Sequence, residues 1–344
     1  MGKTSNKSNK PPTIITFFNH KGGVGKTTLL YHLAWKFTDH GKKVLMVDAD
    51  SQCNLSTLSL GEDEFAEHYE KYPTDNLKAG LSPAFESRPK LIETIYCPTV
   101  GNNANLFLLP GSFEITEYET QLSVAINFNT TFLTMANLPG SFYKLVSVCA
   151  ERYKVDYVFI DLNPGLSAIN QTLLFSSNYF ILPCGVDYFS KQAVKSLSNV
   201  LPAWANWSIK AKVHFKDSVY PLPEFQTKFI GYTVNNFNVK SKRPALAVQG
   251  VIDELDEEIK GVLIPKLKQT DIIKENRQGK YLLANIKSFN TLQQISHRAS
   301  KPVFNLTAVD TGNTGVIRET QELSIEEVSD LFDEFYKNVI GAIE

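Results

Sequence analysis

Six short apolar runs, separated mainly by segments with helical spacing, dominate the hydrophobic pattern of this chain. The runs lie at 13–18, 43–47, 106–109, 157–160, 179–182 and 229–234. Between the first two, apolar residues recur at the helical spacing of Leu29, Leu30, Leu33, Ala34 and Phe37. Strands that alternate with helices indicate βαβ units and parallel pairing. We therefore predict an α/β fold with three layers, in which a mostly parallel twisted sheet carries helices on both faces.

A glycine-rich loop follows the first apolar run, and a helical pattern begins immediately after it. Glycines in this loop permit a tight turn whose N–H groups converge on an anion, and the helix N-terminus adds its positive dipole end. Lys26 can reach terminal phosphates, and the hydroxyl of Thr27 can bind Mg²⁺. We predict that a nucleotide's phosphates contact Gly22, Gly23, Val24, Gly25, Lys26, Thr27 and Thr28.

Carboxylates stand at the ends of two further strands. Asp48 and Asp50 follow the run at 43–47, and Asp161 follows the run at 157–160. The carboxyl ends of parallel strands face the ligand crevice, so these side chains should meet the phosphate loop. Four apolar residues that end in an acid have the Walker B form, in which a buried strand brings a carboxylate to a metal ion.

The loop departs from the standard phosphate-loop pattern at two positions. His20 stands where that pattern has its first glycine, and a second lysine, Lys21, opens the loop. The stretch K-G-G-V-G-K-T resembles the deviant phosphate loop of the ParA/MinD family of ATPases. The resemblance implies a P-loop NTPase fold, with ATP and Mg²⁺ as cofactors and hydrolysis that is slow and stimulated by a partner.

The same resemblance assigns roles to individual residues. It implies that Lys21 crosses to the nucleotide of a partner subunit, which makes an ATP-bound homodimer part of the chemistry. It implies that Asp50 positions the attacking water, beside the catalytic lysines Lys21 and Lys26. Thr27, Asp48 and Asp161 are the residues that it places in or near the Mg²⁺ shell.

Two later strand ends are candidates for contact with the adenine. The run at 229–234 ends at Asn235, and Val262–Pro265 resembles a strand end whose proline lies against the base in the family. Neither motif is specific alone, and an ordinary strand end remains the alternative for both Asn235 and Pro265.

Two classes of biological function remain open for an ATPase that dimerises with ATP. The net charge is −1, so any nucleic-acid binding must come from a local basic patch. The resemblance to ParA implies a nonspecific DNA surface, for which Lys240, Lys242 and Arg243 are candidates, and a stimulating partner that is ParB-like. The alternative is a regulatory module whose partner is an effector protein and which does not bind DNA.

The organisation of the rest of the chain follows from composition. Residues 1–12 read as a basic, disordered tail and 13–344 as a single ATPase domain, with insertions near 62–105 and 205–228 and a short helix around 90–96. We expect a helix over 324–343, started by a capping box of Ser324 and Glu327, that docks on the core. Its acidic polar face argues against a membrane anchor.

The four cysteines are far apart and form no CxxC pair. We therefore predict buried, reduced thiols and a cytoplasmic location, and we expect neither a disulfide framework nor a zinc or electron-transfer site. No run is long enough for a membrane span, which indicates that the protein acts without a membrane.

Overall fold

A computed structural model describes residues 11–127, 135–237, 239–240, 243–244, 246–276 and 280–344. Ten strands are present in this part of the chain, with the following bounds: β1 (Thr13–Phe17), β2 (Val44–Ala49), β3 (Thr99–Val100), β4 (Asn103–Leu109), β5 (Tyr157–Leu162), β6 (Tyr179–Gly185), β7 (Lys228–Phe237), β8 (Val239–Lys240), β9 (Arg243–Pro244) and β10 (Leu282–Lys287).

Thirteen α-helices accompany these strands in the described residues. Their bounds are α1 (Lys26–Asp39), α2 (Asn54–Leu60), α3 (Glu62–Lys71), α4 (Leu77–Phe85), α5 (Glu119–Asn127), α6 (Leu138–Tyr153), α7 (Ala168–Leu174), α8 (Tyr188–His214), α9 (Leu246–Glu258), α10 (Ile264–Gln269), α11 (Thr291–Ala299), α12 (Ala308–Thr311) and α13 (Gly315–Ile343). A π-helical segment, Ile259–Leu263, joins α9 to α10.

Eight of the strands form one sheet in the order β10-β7-β6-β1-β5-β2-β4-β3. All neighbours pair in parallel except β3 and β4, which are antiparallel. The central strands are buried along almost their whole length, which explains why they read as continuous apolar runs. The predicted α/β fold is therefore confirmed.

Helices cover both faces of this sheet and divide the core into two clusters. One face is covered mainly by α4 to α10, and the other by α1, α2, α11 and α13. In both clusters the side chains come from alternate positions of the same strands, as Ile14 and Ile15 of β1 illustrate. The phosphate loop between β1 and α1 thus sits at the centre of the carboxyl edge of the sheet.

The prediction of a strand at Val262–Pro265 is wrong. This run lies in the π-helical segment and at the start of α10, where Pro265 occupies the first helical turn. Ile259, Leu263 and Leu267 are buried four residues apart, so the run has helical spacing that its short length concealed. Proline has no N–H to donate, so the helical hydrogen bonding is interrupted where the π-helical segment meets α10.

The helix predicted around residues 90–96 is absent, and this part of the chain has no regular secondary structure. Distant tyrosines satisfy its backbone groups. The N–H of Ile92 donates to the hydroxyl of Tyr220 at 2.9 Å, and that of Cys97 donates to the hydroxyl of Tyr153 at 2.8 Å. These contacts replace the hydrogen bonds of a helix. The region 62–105 contains α3, α4 and β3, while residues 205–214 belong to α8.

The C-terminal helix docks on the core as predicted, but its start was placed wrongly. It begins at Gly315, and Ser324 lies inside it, where its hydroxyl donates to the carbonyl of Thr320 at 3.0 Å. Its buried residues pack against α1 and β10, and Lys36 of α1 forms an ion pair with Asp333 at 2.9 Å. Residues 315–323 are largely exposed, so they carry little of the apolar periodicity that reveals a helix.

Two further predictions concern burial and hydropathy. All four cysteines are buried and free, as expected. In the described part of the chain, every helix is too short or too polar to cross a bilayer. Residues 1–10 of the predicted tail lie outside the described residues.

A buried histidine ties α1 to the C-terminal helix. Nδ1 of His32 lies 2.7 Å from the carbonyl oxygen of Thr28, and the N–H of Val303 donates to Nε2 at 3.0 Å. A carbonyl only accepts, so Nδ1 carries the proton and Nε2 is the acceptor. The ring stacks on Phe332, with centroids 5.0 Å apart. Burial lowers the pKa of His32 to about 4, so the neutral ring is the form that this packing requires.

We predict that burial of His32 makes the folded protein less stable in acid. Its pKa is lower in the folded chain than in the unfolded one, so its contribution is complete above about pH 6.5 and declines as the pH falls toward 4. The free energy of unfolding, measured by urea denaturation, should fall for the wild type relative to His32→Gln by up to about 3 kcal/mol across this range. An unchanged difference between the two proteins from pH 7 to 4.5 would contradict the assignment.

Candidate functional site

The phosphate loop folds as a cradle that opens into a large cleft. Gly23 and Gly25 have φ values of +73° and +82°, in the left-handed region where side chains other than glycine are strained. Gly25 caps α1, so the free N–H groups of the first helical turn face the cleft. All seven predicted phosphate-loop residues, Gly22 through Thr28, line this cleft of about 1540 Å³.

Buried Asn19, which the sequence analysis did not single out, holds the loop in shape. Its side-chain amide donates to the carbonyl of Pro183 at 2.8 Å, and its side-chain oxygen accepts from the N–H of Lys21 at 3.0 Å. Its backbone carbonyl accepts from Nζ of Lys26 at 3.2 Å. A single polar residue between an apolar strand and the glycines is a weak sequence signal, which is why its role was missed.

Lys26 is buried inside the loop, where its ammonium group contacts backbone carbonyls. Burial lowers the pKa of Lys26, and the negative charges of Asp161 and Asp50 partly offset this effect. Neighbouring His20 is also affected, since burial and the charge of Lys26 lower its pKa. The interior of the loop therefore holds one desolvated cation, for which a phosphate would be a favourable counter-ion.

Thr27 and Asp161 meet directly below the loop. The hydroxyl of Thr27 donates to Oδ2 of Asp161 at 2.6 Å, while buried Oδ1 has no hydrogen-bond partner among the described residues. Burial and the charge of Asp48 raise the pKa of Asp161 to about 8. A hydroxyl beside an unpartnered carboxylate oxygen is a donor set that fits Mg²⁺. No group of three or more His, Cys, Asp or Glu that could hold a metal occurs in the described ranges, so the phosphates would have to complete the shell.

Asp48 has a different set of contacts from Asp161. Its Oδ2 accepts from the N–H and the hydroxyl of Ser56 at 2.8 and 2.7 Å, and its Oδ1 accepts from the N–H of Asp50 at 3.2 Å. Burial raises the pKa of Asp48 to about 6, although the hydrogen bonds of Ser56 oppose that shift. These contacts support the segment that carries Asp50. The place of Asp48 near the Mg²⁺ shell stays a prediction.

Asp50 lies at the wall of the cleft, as predicted from the strand end. It is nearly buried, and its Oδ1 accepts from the N–H of Gln52 at 3.0 Å. The hydroxyl of Ser56 also accepts from the N–H of Gly111 at 2.9 Å, so one serine links the Asp50 segment to the end of β4. The sequence analysis missed Ser56, because a serine in a short helix has no distinctive pattern.

The two adenine candidates lie in different places. Asn235 ends up beside the phosphate loop, where its amide donates to the carbonyl of Val24 at 2.8 Å and its Oδ1 is buried without a partner among the described residues. Pro265 is exposed on α10, which packs against α8 in the opposite helical layer from α1. The cleft wall beyond Asn235 is instead built by the end of β10, with Lys287, Ser288 and Phe289.

Lys21 points away from Lys26. Its ammonium group forms an ion pair with Asp187 and donates to the hydroxyl of Ser190 at 3.1 Å. Burial alone would raise the pKa of Asp187, but the hydrogen bonds from Lys21 and Ser190 lower it below its ordinary value. The two lysines of the loop therefore serve different neighbours within one chain.

Two of the three DNA-binding candidates lie near the same edge of the sheet. Lys240 and Arg243 pair with each other in the short β8–β9 hairpin, which begins two residues after the end of β7. Lys242 lies outside the described residues. The hairpin follows the strand that carries Asn235, so it begins near the carboxyl edge of the sheet.

Comparison with known proteins places this architecture in a family. The model of a family described as an AAA domain matches residues 12–211, which include the phosphate loop and the strands of all three aspartates. The chain belongs to the ParA/MinD family of P-loop ATPases. Among its relatives is the sporulation initiation inhibitor protein Soj of Bacillus subtilis, which is 25% identical over 188 residues, or 55% of this chain and 64% of Soj.

Solved structures show the same fold. The ATP complex of a Cyanothece McdA variant matches with a TM-score of 0.56 and 16% identity, over 94% of this chain and 96% of that one. The pNOB8 ParA bound to nonspecific DNA matches with a TM-score of 0.55 and 17% identity, over 96% and 98%. For several curated relatives, the chain spans about half of the relative's own length.

The contacts of Ser56 lead to a test of the carboxylate network. We predict that Ser56→Ala lowers the free energy of unfolding by about 1–3 kcal/mol, because Asp48 loses its hydroxyl donor and the buried N–H of Gly111 loses its acceptor. Ser59→Ala on the same helix is the control, since the buried hydroxyl of Ser59 has no partner among the described residues and its loss should be nearly neutral. Equal effects of the two variants in urea denaturation would contradict the network.

Proposed function

We propose that this chain is an ATP-dependent dimerisation switch that hydrolyses ATP to ADP and phosphate and acts in the partitioning of DNA. The observation that carries the proposal is that the two lysines of the loop have different surroundings. Lys26 lies inside the cradle with Asp161 and Asp50 nearby, whereas Lys21 lies at its outer side with Asp187. An inward lysine serves the chain's own nucleotide, and an outward lysine is free to serve that of a second copy.

The proposed chemistry depends mainly on positioning and charge. The loop N–H groups and Lys26 hold the β- and γ-phosphates, and Thr27 and Asp161 would hold Mg²⁺. When bound, Mg²⁺ neutralises negative charge on the phosphates. Asp50 orients a water for in-line attack, and Lys21 from the second copy stabilises the charge that develops. ATP then closes the dimer and hydrolysis releases it.

The base would lie on the far side of the loop from Lys21. Asn235 and the end of β10 form the wall there, and the unpartnered Oδ1 of Asn235 could accept from an exocyclic amine. The cleft exceeds the range of about 300–1000 Å³ that is common for ligand sites, so a nucleotide would fill only part of it. The sequence predicted that Pro265 contacts the base, and we assign that contact to Lys287–Phe289 instead.

Two observations support DNA as the output. The basic β8–β9 hairpin lies close to the nucleotide edge of the sheet, and pNOB8 ParA, of the same fold, binds nonspecific DNA. Hydrolysis would then be stimulated by a DNA-bound partner of the ParB kind. A nonspecific surface of this type acts through phosphate neutralisation and is therefore weakened by salt.

A second candidate function is the control of an effector protein without DNA. Its support is a surface on the region 62–105, where α3 carries five acidic residues and the rings of Tyr72 and Tyr96 are exposed. The ring of Phe113, which lies against Phe65 and Tyr69 of α3, is exposed as well. Exposed aromatic side chains among charges are typical of protein interfaces.

We predict opposite effects for two site variants. Lys26→Ala should weaken binding of a fluorescent ATP analogue by at least about 100-fold, because a desolvated phosphate contact is lost. Asp50→Ala should retain binding but reduce phosphate release by about 100-fold, and it should accumulate an ATP-bound dimer in light scattering. An Asp50 variant that hydrolyses ATP at the rate of the wild type would rule out its role in positioning water.

We predict that replacing Lys240, Lys242 and Arg243 together by Ala removes ATP-dependent binding to duplex DNA in a gel shift. If all three contact phosphates, the slope of log affinity against log salt should fall by about three per subunit. The matched control is the triple change of Lys210, Lys212 and Lys216, which removes the same charge from the C-terminal end of α8 and beyond it. DNA binding that does not depend on ATP, or none at all, would favour the effector module.

A further inference from the structure

Three large apolar side chains are exposed around the outer side of the phosphate loop. Leu166 is 46% exposed, Tyr188 is 67% exposed and Phe189 is 69% exposed. We call these three residues the rim patch. Tyr188 and Phe189 form the first turn of α8, directly after Asp187, and their rings lie 5.8 Å apart. Exposed apolar side chains are common singly, but three around a functional loop require a reason.

The order of the strands brings the rim patch together across the loop. β1 lies between β5 and β6, so the segments after these three strands are neighbours at the carboxyl edge. A Cβ on Gly22 would lie 3.8 Å from Pro164, two residues before Leu166, and a Cβ on Gly185 would lie 3.8 Å from Nζ of Lys21. Leu166 therefore stands on one side of the exposed backbone at Gly22, and the two aromatic residues stand on the other.

The charges within this face favour a copy of the same chain as its partner. Lys21 and Asp187 present one cation and one anion side by side between the apolar residues. A face with both signs is self-complementary under a two-fold axis, because each copy can offer its cation where the other has its anion or phosphates. A strongly basic or strongly acidic partner would meet a like charge on this face.

We propose that the rim patch is the apolar anchor of a two-fold interface with a second copy of this chain. Leu166, Tyr188 and Phe189 of both copies pack together and exclude water around the Lys21–Asp187 pair. Lys21 then exchanges Asp187 for the phosphates bound by the other copy. This inference rests on the proposed ATP-dependent dimer, and it adds the residues that hold that dimer together.

The structure offers a matched control on the same helix. Ile209 and Val213 are 50% and 70% exposed, and they lie near the C-terminal end of α8, about 20 residues and therefore about 30 Å from Tyr188 and Phe189. Replacing them by serine removes two exposed apolar side chains far from the loop. Any effect confined to the rim patch is thus separated from a general effect of polar substitution on α8.

The test measures the dissociation constant of the dimer by analytical ultracentrifugation with Mg²⁺ and the non-hydrolysable analogue AMPPNP. We expect Tyr188→Ser with Phe189→Ser to raise this constant at least about 30-fold, as for a hot-spot pair, and Ile209→Ser with Val213→Ser to leave it unchanged. Binding of a fluorescent ATP analogue to monomers should be the same in all proteins. Leu166→Ser, on a different element, should also weaken the dimer and decides the question if the double variant does not fold.

The outcomes separate this inference from the function on which it rests. A wild type that dimerises with AMPPNP, together with rim variants that dimerise equally well, overturns the rim patch and leaves the switch intact. A wild type that stays monomeric with AMPPNP overturns both. Rim variants that dimerise normally but lose binding to DNA or to a partner protein would show that the patch has another occupant, and would overturn the inference.

Discussion

Two carboxylates buried on neighbouring strands set the electrostatics on which this site depends. Asp48 and Asp161 are paired in the register of β2 and β5, so two acidic groups share one small volume away from solvent. Burial raises the pKa of both groups, the charge of Asp48 raises the pKa of Asp161 further, and the charge of Asp50 acts on Asp48 in the same way. The site needs cations to relieve this repulsion, and Lys26 supplies one within the chain. The proposed magnesium ion would add positive charge to the same site, and so would Lys21 from a second copy.

The carboxylates are satisfied in different ways, and this difference separates their roles. Asp48 has three donors from the Asp50 segment and is a fixed support. Asp161 has one donor, the hydroxyl of Thr27, and keeps a buried oxygen without a partner among the described residues. An unsatisfied buried oxygen costs free energy, so it is best understood as a group that awaits a ligand. The satisfied carboxylate thus lies under the segment that carries Asp50, and the less satisfied one lies under the phosphate loop.

The sequence was most informative where one short stretch determines both structure and chemistry. The phosphate loop, the three aspartates and the strands that carry them could be predicted, because buried parallel strands are continuous apolar runs and glycines mark the loop. The run at Val262–Pro265 could not, since a short apolar segment fits a strand or a buried helix equally well. Asn19, Ser56 and Asp187 could not either, because single polar residues acquire their roles only from tertiary neighbours.

In the proposed switch, the Lys21–Asp187 pair is the reason why a second copy is needed to complete the site. Lys21 is held outside the cradle by a carboxylate at the start of α8, and that helix is anchored by its long packing against the sheet and α9. Moving Lys21 inward would leave Asp187 without its cation, whereas a second copy could replace both partners at once. In the proposed dimer, two-fold exchange would leave neither charge unpaired, unlike rearrangement within one chain. The apolar residues around the loop would strengthen this charge exchange, because opposite charges attract strongly only where water is excluded.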